Sequence, residues 1–163
     1  MTVEPQTRPK STPESAPHLR LRLWVRLLRT VRPIEAELRR RLTHEFGVTL
    51  PKFDVMAALV RRESGMTMTE VSRQLMVSNG NVTGIVDRLV AEGLVARVAN
   101  EVDRRATFVR LTGKGTLLFD RMAAAHERWV DEILAGFSDE RSDTMIVLLD
   151  ALREETHTGG RSP

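Results

Sequence analysis

Apolar residues recur along most of the chain at steps of three and four residues, the spacing of amphipathic helices. The first apolar stripe runs over 19–42 and passes Pro33, where a kink is expected. Gly47 is predicted to end this helix, and a second stripe follows over 50–60. The pattern predicts a mainly α-helical protein.

Two short helices are predicted to follow. Thr67 and Glu70 have the spacing of a capping box, which marks the start of the first of them, and this helix ends near Leu75. Ser78 is expected to cap the second helix, and Gly93 is expected to stop it. Its buried face consists of Val82, Val86 and Leu89, joined by Ile85. Two short helices joined by a tight turn are typical of a helix-turn-helix.

Two runs of strand type come next, LVARVA at 94–99 and TFVRL at 107–111, separated by the polar segment NEVDRRA. They predict a β-hairpin with a longer loop. Two further helices are predicted to begin near Thr112 and Ser138. The predicted fold class is therefore mainly α with a small β-hairpin wing: a winged helix-turn-helix flanked by N- and C-terminal helices.

The helix that Ser78 caps has a small, polar face in spite of its regular apolar stripe. An interior glycine costs a helix about 1 kcal/mol relative to alanine. A recognition helix needs such a face, because its backbone approaches the major groove and its amides and hydroxyls bond to base edges. The candidate DNA-contacting residues are Ser78, Asn79, Gly80, Asn81, Thr83, Gly84 and Arg88. An ordinary capped surface helix is the alternative, although it needs only one cap residue.

Phosphate contacts are predicted to come mainly from the hairpin, because Asp87 and Glu92 balance Arg88 on the helix. The hairpin carries four arginines, Arg97, Arg104, Arg105 and Arg110. Arg104 and Arg105 lie at the tip, and one of them is a candidate for entering a minor groove of the DNA. Asp103 is a candidate for orienting one of these two arginines. A solvated charged turn is the alternative.

At this point the chain resembles a known family. The stretches VSRQL, SNGNVTGIVDRLVAEGLVARV, DRRA and VRLTGKG are similar to those of the multiple antibiotic resistance regulator (MarR) family of bacterial repressors. The resemblance covers about 19–155. It implies recognition-helix roles for Ser78, Asn79, Asn81 and Thr83, and a wing pair of Asp103 and Arg105.

The resemblance also implies that the protein is an obligate homodimer. The terminal helices of the two copies intertwine, and the dimer binds a double-stranded DNA operator. The predicted organisation is a disordered arm at 1–17, a dimerisation helix at 18–47, a winged DNA-binding domain at 48–111, C-terminal dimerisation helices at 112–156 and a flexible tail at 157–163. A larger monomeric bundle is the alternative explanation for the extra apolar helices.

A third implication is a pocket between the dimerisation helices and the winged domain, where small aromatic anions loosen DNA binding. The SNGNVTGIVDRL stretch is similar to members that respond to aromatic acyl-CoA thioesters. The candidate ligand-binding residues are Arg22, Trp24, Arg26, Leu28, Arg29, Phe53, Met56, Met122 and His126. The three arginines share one helical face and suit a carboxylate or phosphates. A solvated face is the alternative.

Composition adds little to the case for DNA. The net charge is +3, and the isoelectric point of about 10.1 is high because the chain has no Tyr or Cys to titrate between His and Lys. Of 25 basic residues 22 are Arg, the side chain suited to bidentate contacts with phosphate and bases. A genome rich in GC explains the same bias.

Several classes of protein are disfavoured. The absence of Cys excludes disulfides, thiolate metal sites and the cysteine-based peroxide sensing of some family members. The chain has no long apolar run and no signal-peptide core, so a cytoplasmic location without membrane contact is expected. It lacks HExxH, GxSxG and P-loop patterns, so no enzyme, metal or cofactor is expected. A winged-helix interaction module without sequence-specific DNA binding, or a small enzyme, are the competing classes.

Overall fold

A computed structural model describes residues 16–62, 64–99 and 107–158, with side chains up to position 156. The elements in chain order are α1 (Ala16–Phe46), α2 (Leu50–Val60), β1 (Met66–Thr67), α3 (Met68–Leu75), α4 (Asn79–Ala91), β2 (Val95–Ala99), β3 (Thr107–Leu111), α5 (Gly113–Leu134) and α6 (Asp139–Thr158). This order confirms the predicted fold class, mainly α with a small β wing.

The chain divides into two compact units, with the boundary inside α1 between Glu37 and Leu38. Each unit is described by itself. In the first, α1 is one continuous helix through Pro33. None of its described residues, 16–37, is buried, and Trp24 is 57% exposed.

The ends of the terminal helices differ from the predicted limits of the arm and the tail. Ala16 and Pro17 were assigned to the arm and are helical, because proline is tolerated in the first turn of a helix. At the other end α6 continues to Thr158, two residues into the predicted tail, since no helix breaker precedes Gly159.

The core of the second unit lies between α2, α4, α5 and the sheet. α4 contributes its predicted stripe of Val82, Val86 and Leu89, all fully buried. α2 packs against both α4 and α5, and Met56 of α2 and Met122 of α5 are also fully buried. Burying one such side chain stabilises a fold by about 1.5–3 kcal/mol, so this core fixes the base on which α4 rests.

The sheet has three strands rather than the two that were predicted. Its order is β1-β3-β2, and both pairings are antiparallel, with Met66 opposite Val109 and Val95 opposite Leu111. β1 was missed because two residues carry no periodicity of their own. Its pairing places Val109 in the central strand, where it is fully buried.

Local hydrogen bonds fix the helix-turn-helix as predicted. Thr67 and Glu70 form a capping box, in which the Thr67 N–H donates to Glu70 Oε2 at 2.7 Å and the Glu70 N–H donates to Thr67 Oγ1 at 3.2 Å. The bond from the Thr67 backbone lowers the pKa of Glu70. In the turn that follows, Met76 has a left-handed backbone (φ 54°) and Ser72 Oγ donates to the Val77 carbonyl at 2.5 Å. These bonds set the angle between α3 and α4.

Candidate nucleic-acid interface

The predicted DNA-contacting face of α4 is open to solvent along its whole length. All seven of its residues are exposed: Ser78, Asn79, Gly80, Asn81, Thr83, Gly84 and Arg88. Ser78 caps the helix through a long bond, 3.5 Å from the Asn81 N–H to the hydroxyl. The Thr83 hydroxyl donates to the Asn79 carbonyl at 2.8 Å. Its methyl group and its free lone pairs therefore stay on the outer surface.

The two glycines of α4 are not required by packing inside the protein. A Cβ at Gly80 or Gly84 would meet no atom within 4 Å, and neither residue has a positive φ. By contrast, a Cβ at Gly65 would lie 2.9 Å from the Val109 carbonyl oxygen. Packing among the described residues therefore does not explain the small size of the α4 face, which would allow close approach of a DNA duplex.

The acids beside α4 have partners other than Arg88. Asp87 Oδ1 accepts a bond from Arg97 Nη2 at 2.6 Å, and Glu92 pairs with Lys52. The predicted charge balance of the helix therefore does not depend on ion pairs with Arg88. Among the described residues the Arg88 side chain has no hydrogen bond or ion pair, so its charge stays on the exposed face. Arg97 is paired with Asp87 at the surface, and its contact with phosphate stays a prediction.

The wing is described only in its strands. Arg110 is exposed on β3. The predicted tip residues Asp103, Arg104 and Arg105 lie outside the described residues, so their roles stay predictions.

The predicted ligand residues fall into two groups. In the second unit Phe53 stacks on Phe119, with ring centroids 5.5 Å apart, and on His126, at 4.9 Å. Met56 and Met122 are fully buried near them, in α2 and α5. The predicted ligand residues of the second unit therefore belong to one aromatic and apolar cluster.

The other half lies on α1 in the first unit. Arg22, Arg26 and Arg29 line an open groove on the helix surface together with Val25 and Thr30. Of the remaining two predicted residues, Trp24 is exposed and Leu28 is half-buried. Because the two halves belong to separate units, their meeting in one pocket stays a prediction.

Comparison with known proteins decides the family. A model of the MarR family matches residues 46–106. The crystal structure of a MarR family transcriptional regulator from Silicibacter pomeroyi gives a TM-score of 0.77 at 32% sequence identity, covering 88% of this chain and 99% of that one. The chain belongs to the MarR family.

Two further relatives agree with this membership. PecS of Dickeya dadantii, an HTH-type transcriptional regulator, is 30% identical over 115 residues, which are 69% of this chain and 68% of PecS. BadR of Rhodopseudomonas palustris, a transcriptional activatory protein, is 34% identical over 110 residues, which are 65% of this chain and 63% of BadR. This MarR-family chain is a DNA-binding transcriptional regulator. α4 is the second helix of its helix-turn-helix, the position of a recognition helix, and its contacts with DNA stay a prediction.

Other kinds of site are not found in the described ranges. No helix within 16–62, 64–99 or 107–158 is both long enough and apolar enough to cross a membrane. The same part of the chain holds no group of three His, Asp or Glu residues that could bind a metal ion.

Sequence reasoning missed one set of residues in this MarR-family domain. Lys52 and Lys114 both bond to Glu92, at the end of α4. A signal was available, because the chain has only three lysines among 25 basic residues and two of them are these.

Gly84→Ala is expected to change stability and operator binding in opposite directions. The added Cβ meets no atom of the protein, so the free energy of unfolding should rise by about 0.5–1 kcal/mol, the helix-propensity difference. Operator affinity should fall, because the Cβ stands between the helix backbone and the bases. Chemical denaturation and fluorescence anisotropy measure the two effects. Unchanged operator affinity would show that the backbone does not approach DNA at this position.

Burial lowers the pKa of His126, so the folded protein favours its neutral form. The unfolded chain binds the proton at a higher pH, near the ordinary value of about 6.5. The stabilisation is therefore complete above that value and is lost as the pH falls toward the folded-state pKa. His126→Gln should reduce the fall in unfolding free energy between pH 7 and 5. Urea denaturation of both proteins between pH 7 and 5 measures the difference, and an unchanged pH profile in His126→Gln would contradict the prediction.

Proposed function

We propose that this MarR-family regulator is a homodimeric repressor that a small aromatic acid, or its acyl-CoA thioester, releases from a pseudo-palindromic operator. The observation that carries the proposal is the exposed face of α4, whose glycines serve no packing role among the described residues. One recognition helix per chain reads one half-site. Two copies would read half-sites about 10 bp apart, one helical turn of the duplex.

The apolar surface of α6 supports the dimer. Five consecutive apolar residues of this helix are between 43% and 67% exposed: Met145, Ile146, Val147, Leu148 and Leu149. An exposed apolar patch of this kind marks an interaction surface in a soluble protein. A second copy of the chain is the partner we propose, because a two-fold protein matches a palindromic site.

The aromatic cluster of α2 and α5 supports an aromatic effector. Phe53, Phe119 and His126 present stacked rings, and a further ring can join such a stack by offset packing. The α1 groove lined by Arg22, Arg26 and Arg29 supports an anionic group on the same ligand. We propose that the rings bind the aromatic part of the effector and that the guanidinium groups bind its carboxylate or phosphates.

Release requires that the ligand bind more tightly to a dimer whose recognition helices do not fit the operator. A ligand with equal affinity for both forms would shift nothing. Repression is the output proposed because a dimer on an operator blocks transcription without any further contact. BadR is a transcriptional activatory protein. If this chain acted as an activator instead, expression of a reporter gene would fall when the regulator is removed.

The test uses calorimetry and operator binding with a hydroxycinnamate, its CoA thioester and free CoA. We expect the aromatic ligands to weaken operator binding by about 5- to 150-fold, the usual range of such coupling. Arg26→Ala and Arg29→Ala should weaken thioester binding, whereas Arg32→Ala, elsewhere on α1, should not. If neither the acid nor the thioester shifts operator affinity, the effector assignment is wrong. If both variants bind the thioester normally, the arginine groove is not the anchor.

A further inference from the structure

Two of the three lysines in the chain meet at one residue, Glu92, directly after the recognition helix. Lys114, in the first turn of α5, donates from Nζ to the Glu92 carbonyl oxygen at 2.9 Å. Lys52, in the first turn of α2, pairs with the Glu92 carboxylate. Its side chain is only 13% exposed, so this ion pair is better shielded from solvent than most on the surface.

Thr112, the N-cap of α5, bonds to the two residues that follow Glu92. Thr112 Oγ1 donates to the Gly93 carbonyl at 2.7 Å, and the Thr112 N–H donates to the Leu94 carbonyl at 3.0 Å. Three successive carbonyls, at the C-cap of α4 and the two positions beyond it, therefore receive donors from Thr112 and Lys114. We call this group of contacts the α4 anchor: Lys52, Glu92, Gly93, Leu94, Thr112 and Lys114.

The backbone N–H groups of residues 92–94 donate back to carbonyls of the last turn of α4, so this segment is bonded to the helix as well as to its neighbours. A cation at the C-terminal end of a helix also interacts favourably with the negative end of the helix dipole. In this chain the donors come from α2 and α5, so the end of α4 is tied to both helices.

We propose that Lys52 and Lys114 are positioning residues for operator recognition. They fix the C-terminal end of α4, and so set the angle at which its N-terminal half enters the major groove. A 13-residue helix is about 20 Å long, so a tilt of about 5° at the anchor displaces its first turn by nearly 2 Å. Hydrogen bonds to base edges do not survive such a displacement.

The α4 anchor also connects recognition to α5. That helix carries Phe119 and His126, so any movement of its first turn acts on the end of the recognition helix. The proposal rests on the DNA binding of the family and not on the effector proposed above. It is tested without any effector, so the two can fail separately.

The experiment compares Lys52→Met and Lys114→Met, which keep most of the side-chain length and remove the charge. Arg128→Met is the matched control, because Arg128 lies on α5 and pairs only weakly, at 4.0 Å, with Glu132 on the same helix. The duplex is the sequence that the wild-type protein selects from a randomised pool, and a scrambled duplex serves for comparison. Fluorescence anisotropy is measured at several salt concentrations, with thermal unfolding and light scattering on each variant.

Each lysine variant should lose about tenfold in affinity for the selected duplex, as expected for one charge-assisted hydrogen bond. Affinity for the scrambled duplex and the salt slope should stay at wild-type values, because no phosphate contact is removed. Lys114→Arg should recover part of the loss, since it keeps a cationic donor. Arg128→Met should bind like the wild type.

Other outcomes would overturn the proposal. A salt slope smaller by about one unit, with equal loss on both duplexes, would show that the lysine contacts a phosphate. A lower melting temperature with unchanged affinity for the selected duplex would leave the lysines only a structural role. If a lysine variant does not fold, Glu92→Gln takes its place, because it removes the charge that pairs with Lys52 and keeps the carbonyl that Lys114 bonds. Wild-type discrimination by Glu92→Gln would contradict the role of Lys52.

Discussion

Gly115→Ala is expected to lower the free energy of unfolding by about 3 kcal/mol or more, the upper range for forced overpacking. Gly115 is buried in the first turn of α5, where an added Cβ would lie 2.0 Å from the carbonyl oxygen of Leu94. The neighbouring atom belongs to the backbone, so it cannot rotate away. Alanine gains about 1 kcal/mol in helix propensity over glycine, and the clash exceeds that gain.

Gly113→Ala is the matched control for this prediction. Gly113 begins the same helix, and a Cβ there would meet no atom within 4 Å. The variant should be as stable as the wild type or slightly more stable. Urea denaturation of the three proteins measures the difference. Equal stability of the two alanine variants would contradict the close approach of α5 to Leu94.

Leu148→Glu is expected to convert the proposed dimer into a monomer and to reduce operator affinity by about 100-fold or more. Leu148 is 60% exposed in α6 and lies within its run of apolar residues. If a second copy covers this surface, the variant buries a carboxylate without a partner, which costs several kcal/mol. A monomer then binds a single half-site and loses the contribution of the second one.

Leu117→Glu makes the same change at a leucine that is 70% exposed on α5. It should remain a dimer if the apolar run of α6 forms the interface, because Leu117 is not part of that run. Analytical ultracentrifugation and a gel-shift titration distinguish the two variants. A dimeric Leu148→Glu protein with normal operator affinity would contradict the assignment of α6 to the dimer interface.

The features that could be predicted from the sequence are those with local causes. The capping box of Thr67 and Glu70 depends on residues three positions apart, and the Ser78 cap depends on the Asn81 amide. The buried stripe of α4 follows from helical periodicity alone. The residues of that helix outside the buried stripe must then lie on its exposed face, and the seven candidate residues were identified in this way.

The features that could not be predicted depend on residues far apart in the chain. β1 exists because Met66 pairs with Val109, and no property of Met66-Thr67 by itself indicates a strand. The TGKG sequence indicates a turn into a helix but not that Gly115 touches Leu94. The charges of Asp87 and Glu92 could be counted from the sequence, but their partners could not be predicted, because these come from β2 and α2.

The pairing of β1 with β3 has a consequence for the order of events during synthesis. The ribosome delivers α2, α3 and α4 before β3, so these helices emerge while Met66 still lacks the strand that it pairs with. Thr112 and Lys114, which hold the end of α4, emerge later again. Domains generally fold as units once enough of their chain is available, and contacts between distant residues form slowly. A nascent chain that stops before Leu111 therefore carries every residue of the recognition helix and still has no finished DNA-binding module.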